Sequence, residues 1–306
     1  MNRLLLVFIC LAFAGTSFAQ QRLDGFQNNL KLTFEDPEED EWEEDDERGW
    51  SFALNLGMYM GSKKSANIYN GLCGFDISDD PNGVRCYMIQ ERLQLGAGAN
   101  TPEAQIKNDL GVTDIIYPND MNPFNMRYQP SFMFGVNMLY DFNYASGFIM
   151  EANFMQLKAT DVFTLQFLGG PLVPNGDDIR LYSITGKEQR FNVNVGYRGR
   201  MEINRDTKWY LDLGPSLLGA RLESNSIRIE DREYQLILGG DNPQQIIQYR
   251  PRTDVGLGGF VGVGVETWFD DRLRMDIGIQ AAREKLKLQS YEDQVWNWEI
   301  VARFGI

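Results

Sequence analysis

Fully charged side chains recur in this 306-residue chain inside segments whose alternate positions are apolar. The cations are Arg127, Arg190, Arg198, Arg200, Lys208, Arg272, Arg274 and Arg303. The anions are Asp141, Glu151, Asp212, Asp254, Glu266, Asp276 and Glu299. The two signs nearly cancel. Charges held away from bulk water must be paired and hydrogen-bonded, so the plainest use of such a set is an ion-pair network filling an interior. The sharper use is a narrow polar conduit. Acid–base catalysis would need a group that titrates near neutrality, and the chain contains no histidine. A Ser or water nucleophile would then depend on a carboxylate that nothing in the sequence marks. No catalytic, cofactor or metal motif accompanies the charges, and an enzyme is not expected.

Two further groups could carry chemistry. Cys73 and Cys86 form an even pair once an N-terminal leader containing Cys10 is set aside, and in an exported chain they read as one disulfide worth about 3 kcal/mol in the chain-entropy picture. Asp76, Asp79, Asp80 and Asn82 precede Gly83. Their spacing does not fit an EF-hand loop, and a solvated turn is the better reading than a calcium site.

The elements that must position the charges are short and periodic. Asn2 and Arg3, the apolar run Leu4 to Ala14 and the small residues of Ser17-Phe18-Ala19 read as a signal peptide over 1–19, cut before Gln20. Lipidation at Cys10 is not expected, because Ile9 stands where a small residue is needed. Residues 20–49 form an acidic segment. From Glu35 to Glu47 come eleven acids, among them Glu35, Asp36, Glu43, Glu44, Asp45 and Asp46, broken by Pro37 and Trp42. Self-repulsion argues for disorder, with Trp42 as an anchor if the strip docks on a basic partner. The formal charge of −14 argues against nucleic acid.

Residues 50–306 carry eight alternating stretches. The first has Trp50, Phe52, Leu54, Leu56, Met58 and Met60 on one face. The last has Trp296, Trp298, Ile300, Ala302, Phe304 and Ile306 on one face, with Asn297, Glu299 and Arg303 on the other. Turns at Asn143–Ser146, Asn204–Asp206 and Asp270–Asp271 alternate with long connections, and aromatic residues gather near strand ends. Lipid tolerates only helices and closed barrels, and no later segment has 18 uninterrupted apolar residues. The cadence therefore predicts an all-β fold: an eight-stranded antiparallel transmembrane β-barrel with long outer loops. Pro130 and Pro215 are expected at a rim or bulge. The first outer loop, about Gly61 to Met126, should hold a short helix begun by Thr101 and Pro102 and ended by Gly111. Val162 to Leu168 with Ile179 to Ile184, and Ile227 to Leu238 with Ile246 to Tyr249, should continue the strands as tall hairpins. The glycines of the sixth stretch leave either free lumen volume or room for the arginines opposite.

This set of features resembles the OmpA/OmpX/OmpW-type small outer-membrane barrels, and the Ala19-Gln20 junction with the Arg303-Phe304-Gly305-Ile306 ending resembles barrel proteins of the Bacteroidota. The resemblance implies a monomeric barrel in the bacterial outer membrane, in contact with lipid and lipopolysaccharide, and a protruding sheet as a binding surface. The expected role is non-enzymatic: surface binding, envelope structure, or a subunit of an outer-membrane complex, secretion or motility machinery among them, with a protein partner at the outer loops or the acidic segment. The second expectation is a narrow conduit of the OmpW kind.

Overall fold

A computed structural model describes residues 49–72, 84–96, 98–118, 120–170, 178–204, 206–239, 253–269, 273–288 and 291–305. The signal peptide, the acidic run, Cys73, the Asp76 to Asn82 cluster, Ile246 to Tyr249 and Arg272 lie outside the described residues. Eight strands form the barrel: β1 (Gly49–Met60), β2 (Ser131–Asn143), β3 (Ser146–Leu168), β4 (Asp178–Asn204), β5 (Thr207–Ile229), β6 (Thr253–Trp268), β7 (Arg274–Leu288) and β8 (Tyr291–Gly305). Each pairs antiparallel with its sequence neighbours, and β1 pairs with β8 from Ala53↔Gly305 to Met60↔Trp298, so the ring closes without a free edge at membrane level.

Period-two alternation puts one side chain in each pair outward and the next inward. Trp50, Phe52 and Leu54 on β1, Trp209, Leu211 and Leu213 on β5, and Trp296, Trp298 and Ile300 on β8 are all exposed. On β4 the outward apolar face runs from Met201 up to Phe191. At about 3.3 Å per residue along a tilted strand this gives a belt about 25 Å tall, the height of a bilayer's apolar layer. With short turns facing the periplasm, the chain enters β1 and leaves β8 on the periplasmic side.

Above the belt, β3, β4 and β5 continue well past the membrane. The register β3–β4 extends to Phe167↔Asp178, as the sequence pattern predicts. The extension of β5 does not. Instead of running on through Leu238, the chain turns at Glu230, which takes the left-handed conformation (φ 51°), and Arg232–Gln235 pairs back onto β5. Ile237–Gly239 then pairs with Val84–Cys86 of the first loop. The alternation of Ile227 to Leu238 belongs to a hairpin, a difference periodicity alone does not reveal because both arms alternate.

The first loop folds inward over the barrel mouth. It holds α1 (Lys63–Ala66), α2 (Ile89–Gln94) and α3 (Pro102–Leu110). The α3 boundaries follow the local chemistry: Thr101 Oγ1 accepts from Ala104 N at 3.1 Å, Pro102 is the first helical residue, and Gly111 caps the end at φ 65°. Ile89, Leu93 and Ile106 of these helices pack with Phe163, Phe167, Ile184, Leu222 and Leu286 from the inner faces of the extended strands. This is the largest apolar core among the described residues, and it sits above the membrane, inside the sheet.

Two prolines behave differently. Pro130 lies between the short strand Arg127–Tyr128, which pairs with β3 at Thr160 and Ala159, and the start of β2. Pro215 is in the middle of β5, not at a rim. The β4–β5 ladder runs to Asn194↔Ser216 and resumes at Tyr197↔Leu213, so the missing donor is absorbed by a local gap in one ladder.

Candidate functional site

At membrane level the inward faces build a charged network centred on Arg198. Alternation on β4 turns Arg198 into the lumen, where its Nε and Nη2 donate to the two carboxylate oxygens of Asp212, its register partner on β5, at 2.7 and 2.8 Å. Its Nη1 donates to Asp276 at 2.7 Å and to Glu266 at 3.2 Å. Arg303, from β8, donates to Glu151 at 2.6 Å and to the Tyr210 hydroxyl at 2.7 Å. Arg200 bridges Glu266 at 3.1 Å and Asp141 at 2.5 Å. Arg274 lies 3.2 Å from Asp276 and donates to Ser51 at 3.0 Å. Arg198, Asp212 and Asp276 have no exposed surface. Such charges persist only when paired, and here they are paired from strand to strand across the barrel.

Tyr210 organises this network as much as any charge. Its ring lies under the Arg198 guanidinium, 4.1 Å from centroid to Cζ, and 5.4 Å from that of Arg303, within cation–π range. One glycine of the β6 row, Gly264, and Gly278 beside it on β7 make room for this ring, while Gly256 and Gly258 are packed against the β7 backbone. A Cβ at Gly264 would meet Tyr210 Oη at 2.3 Å, and one at Gly278 of β7 would meet it at 2.0 Å.

Higher in the lumen a second cluster joins barrel to loop. Arg190 donates to Glu188 at 2.5 Å, the Tyr59 hydroxyl at 3.1 Å, Asn297 at 3.2 Å, Ser65 at 3.1 Å and the Tyr128 hydroxyl at 3.3 Å. Tyr69, at the end of the turn after α1, donates to the other Glu188 oxygen at 2.5 Å. It packs flat on the β4 backbone, where a Cβ at Gly186 would stand 2.1 Å from its ring. Ser62 N donates to Asn297 at 3.3 Å. One buried guanidinium thus holds the loop in the mouth. Between the clusters, Glu299 and Glu284 are held by neutral donors: Asn192 at 2.5 Å, and Ser216 and Asn297 at 2.5 and 2.8 Å.

Of the expected lumen residues, Asp141, Glu151, Arg198, Asp212, Glu266, Arg274, Asp276, Glu299 and Arg303 are brought together. Arg127 is not. It is exposed on the outer face of its short strand, because the chain before Pro130 leaves the β2 line. Tyr128, next to it, turns in toward Arg190 for the same reason. Glu188 and Glu284, outside the expected set, also turn inward, because the alternation of β4 and β7 continues into their extensions. Read two residues further from Arg190 and four from Gln280, it places both inward. Cys86 is disulfide-bonded; its expected partner Cys73 lies outside the described residues. Among the described residues no group of three or more His, Cys, Asp or Glu is arranged to hold a metal ion.

In the outer head, ionisation follows local contacts. The hydrogen bond from Lys107, then that from the Ile115 N–H, holds the Asp114 carboxyl below its ordinary value. Burial opposes the charged form of Lys107, but hydrogen bonds to Asp114 and Glu103 outweigh it and raise its ammonium. Burial, with Glu103 beside it, raises the Tyr117 phenol.

No family model and no curated protein matches the chain. Among solved structures it is similar to Neisserial surface protein A, at 11% identity over 84% of this chain and 98% of that one, with a TM-score of 0.36. Ail, the attachment invasion locus protein of Yersinia pestis, shows 12% identity over 84% and 98%, with a TM-score of 0.31. The outer membrane protein OprG from Pseudomonas aeruginosa shows 9% identity over 84% and 95%, with a TM-score of 0.36. The fold rests on the ring itself: eight antiparallel strands, closed, apolar outside and charged inside, make an outer-membrane β-barrel.

Proposed function

We propose that this barrel is a non-enzymatic, non-conducting membrane anchor whose outer head binds a protein partner. One observation carries the reading. Ile116, Val162, Ile179 and Leu181 stand exposed on the outward face of the head, with Leu181 67% accessible. They are neighbours in register, through Ile116↔Gln166↔Ile179, Thr164↔Leu181 and Val162↔Ser183. Val162 lies eight residues beyond Phe154, the last outward apolar residue of the β3 belt, about 25 Å along the strand, so lipid tails do not cover the patch. A contiguous apolar surface of this kind marks an interaction site. Beside it, β4 has outrun its neighbour: the β4–β5 ladder starts at Ser183↔Arg228, and among the described residues no strand pairs with the other edge of Asp178–Tyr182. An open edge flanked by apolar side chains suits strand addition.

The filled lumen favours this reading over a conduit, since solute passage would require breaking buried ion pairs and lifting the first loop. A photo-reactive residue at position 181 in native outer membranes tests the proposal. A discrete protein adduct is expected, and lipid adducts alone would overturn it. In planar bilayers the protein should insulate, whereas stepwise conductance would restore the conduit. Docking through Glu35 to Glu47 stays a separate proposal from sequence alone; replacing those acids by amides should release any partner held there.

A further inference from the structure

A second feature of the outer surface lies lower, where the apolar belt gives way to polar side chains. Lys158 and Lys187 face each other as direct partners in the β3–β4 register. Arg221 stands one strand further, partnered with Gln189, and Arg127 one strand the other way, opposite Thr160. All four are outward and exposed. They lie two to six residues above Phe154, Phe191 and Gly219, which are adjacent in register and end the belt. Four residues of tilted strand rise about 10 Å, into the headgroup layer that flanks the hydrocarbon.

Like charges placed directly opposite on a sheet are destabilising, and here no ion pair among the described residues offsets them. Among the described residues none of the four cations makes an ion pair or a side-chain hydrogen bond. The carboxylate beside them, Glu223, accepts from the amides of Gln156, at 2.8 Å, and Gln189. Asp161 partners the inward Ile184 and accepts from the Val162 N–H. The contrast with the far side of the barrel is sharp. There Lys285 and Lys287 share an ion pair with Glu292, Lys64 pairs with Asp293, and Arg283 lies over the Trp296 ring. Among the described residues this patch carries no ion pair, at the height where outer-leaflet phosphates lie.

We propose that Lys158, Lys187, Arg221 and Arg127 form a binding site for the phosphates of the lipid A headgroup, with the acyl chains laid against Phe154, Phe191 and Phe134 below. Lysine and arginine bind phosphate by charge-assisted hydrogen bonds, and an anionic headgroup relieves the repulsion between the facing lysines. The inference does not depend on the partner of the outer head.

The test uses the full mature chain refolded in neutral detergent and titrated with bisphosphorylated lipid A, with its dephosphorylated form and with inorganic phosphate. The triple variant K158Q/K187Q/R221Q should bind bisphosphorylated lipid A at least about tenfold more weakly, since each cation near an anionic surface contributes about a fivefold factor. Without lipid the variant should unfold at the same temperature as the parent or higher, as relief of like charge predicts. If the triple variant does not refold, K187Q alone serves, with a smaller loss. K285Q/K287Q should leave binding unchanged. Equal affinity for the dephosphorylated lipid, unchanged affinity in the lysine variants, or inorganic phosphate binding as tightly as the lipid would each overturn the proposal.

Discussion

The same barrel interior is filled in opposite ways at two heights. At membrane level it is dominated by charge: Arg198, Arg303 and their carboxylates are buried and held by charged hydrogen bonds, with only small apolar clusters such as Leu139, Ile149 and Phe260 between them. Above the membrane it is apolar: Phe163, Phe167, Ile184 and Leu222 enclose the helices of the first loop. The difference follows from what lies outside. Inside the bilayer the outward faces must be apolar to meet lipid, so the alternation leaves polar residues for the lumen, and an eight-strand lumen is narrow enough for side chains alone to fill. Above it, lipid is gone, the outward faces can be polar, and the inner faces can form an ordinary core. The barrel inverts the soluble pattern at membrane level and restores it a few residues higher on the same strands.

The two fillings should fail differently. The largest loss is expected for Arg198→Ala, which leaves Asp212 and Asp276 buried without their main cation. About 3–5 kcal/mol should go, read as a lower urea midpoint for the whole barrel. Combining Arg198→Met with Asp212→Asn and Asp276→Asn should recover much of it, and no recovery would mean that these residues do not act as one network. In the apolar region, Leu93→Ala should cost about 2–5 kcal/mol, but locally: proteolysis of the first loop should accelerate while the heat-modifiable barrel band persists. If both variants unfold the barrel together, the two levels are one cooperative unit and the comparison breaks.

Smaller effects sharpen the boundary between the levels. Tyr69→Phe removes the hydroxyl that joins loop to Glu188 and leaves one acceptor oxygen unserved, at a cost of about 1–3 kcal/mol. Amide exchange should rise in Asn67–Tyr69 before it rises in β4. The smallest effect concerns Asp114 and Lys107 in the head. Because the Asp114 carboxyl is held low in the folded chain, its contribution is present above the ordinary carboxylate range, about 4, and is lost as pH falls through the depressed folded value. Proteolysis of the head should therefore accelerate on acidification in the parent. Asp114→Asn should flatten that part of the profile without changing the barrel.

The residues show where sequence is legible. Trp50 to Met60 and Trp296 to Phe304 were readable because a strand turns each side chain by half a revolution, a property set by the backbone alone. The caps at Thr101 and Gly111 were readable because capping involves three or four neighbouring residues. The return at Glu230 was not, because Ile227 to Leu238 alternates equally well as one strand or as a hairpin. Arg127 was misplaced because a departure of the backbone before Pro130 shifts the face without disturbing the pattern.

By itself, then, the sequence determined that this chain would make strands with one lipid-facing side, how many of them there would be, and which charges would turn inward where a strand runs without a break through the membrane. Only the tertiary structure decided which of those charges meet. Arg198 pairs with Asp276, 78 residues away, and Arg190 with Ser65, 125 residues away, because closing the ring fixes the stagger between strands and so the height of every inward side chain. It also decided that the first loop fills the mouth. Its helices are local, but the apolar surface they bury belongs to strands far along the chain, and no periodicity records that meeting.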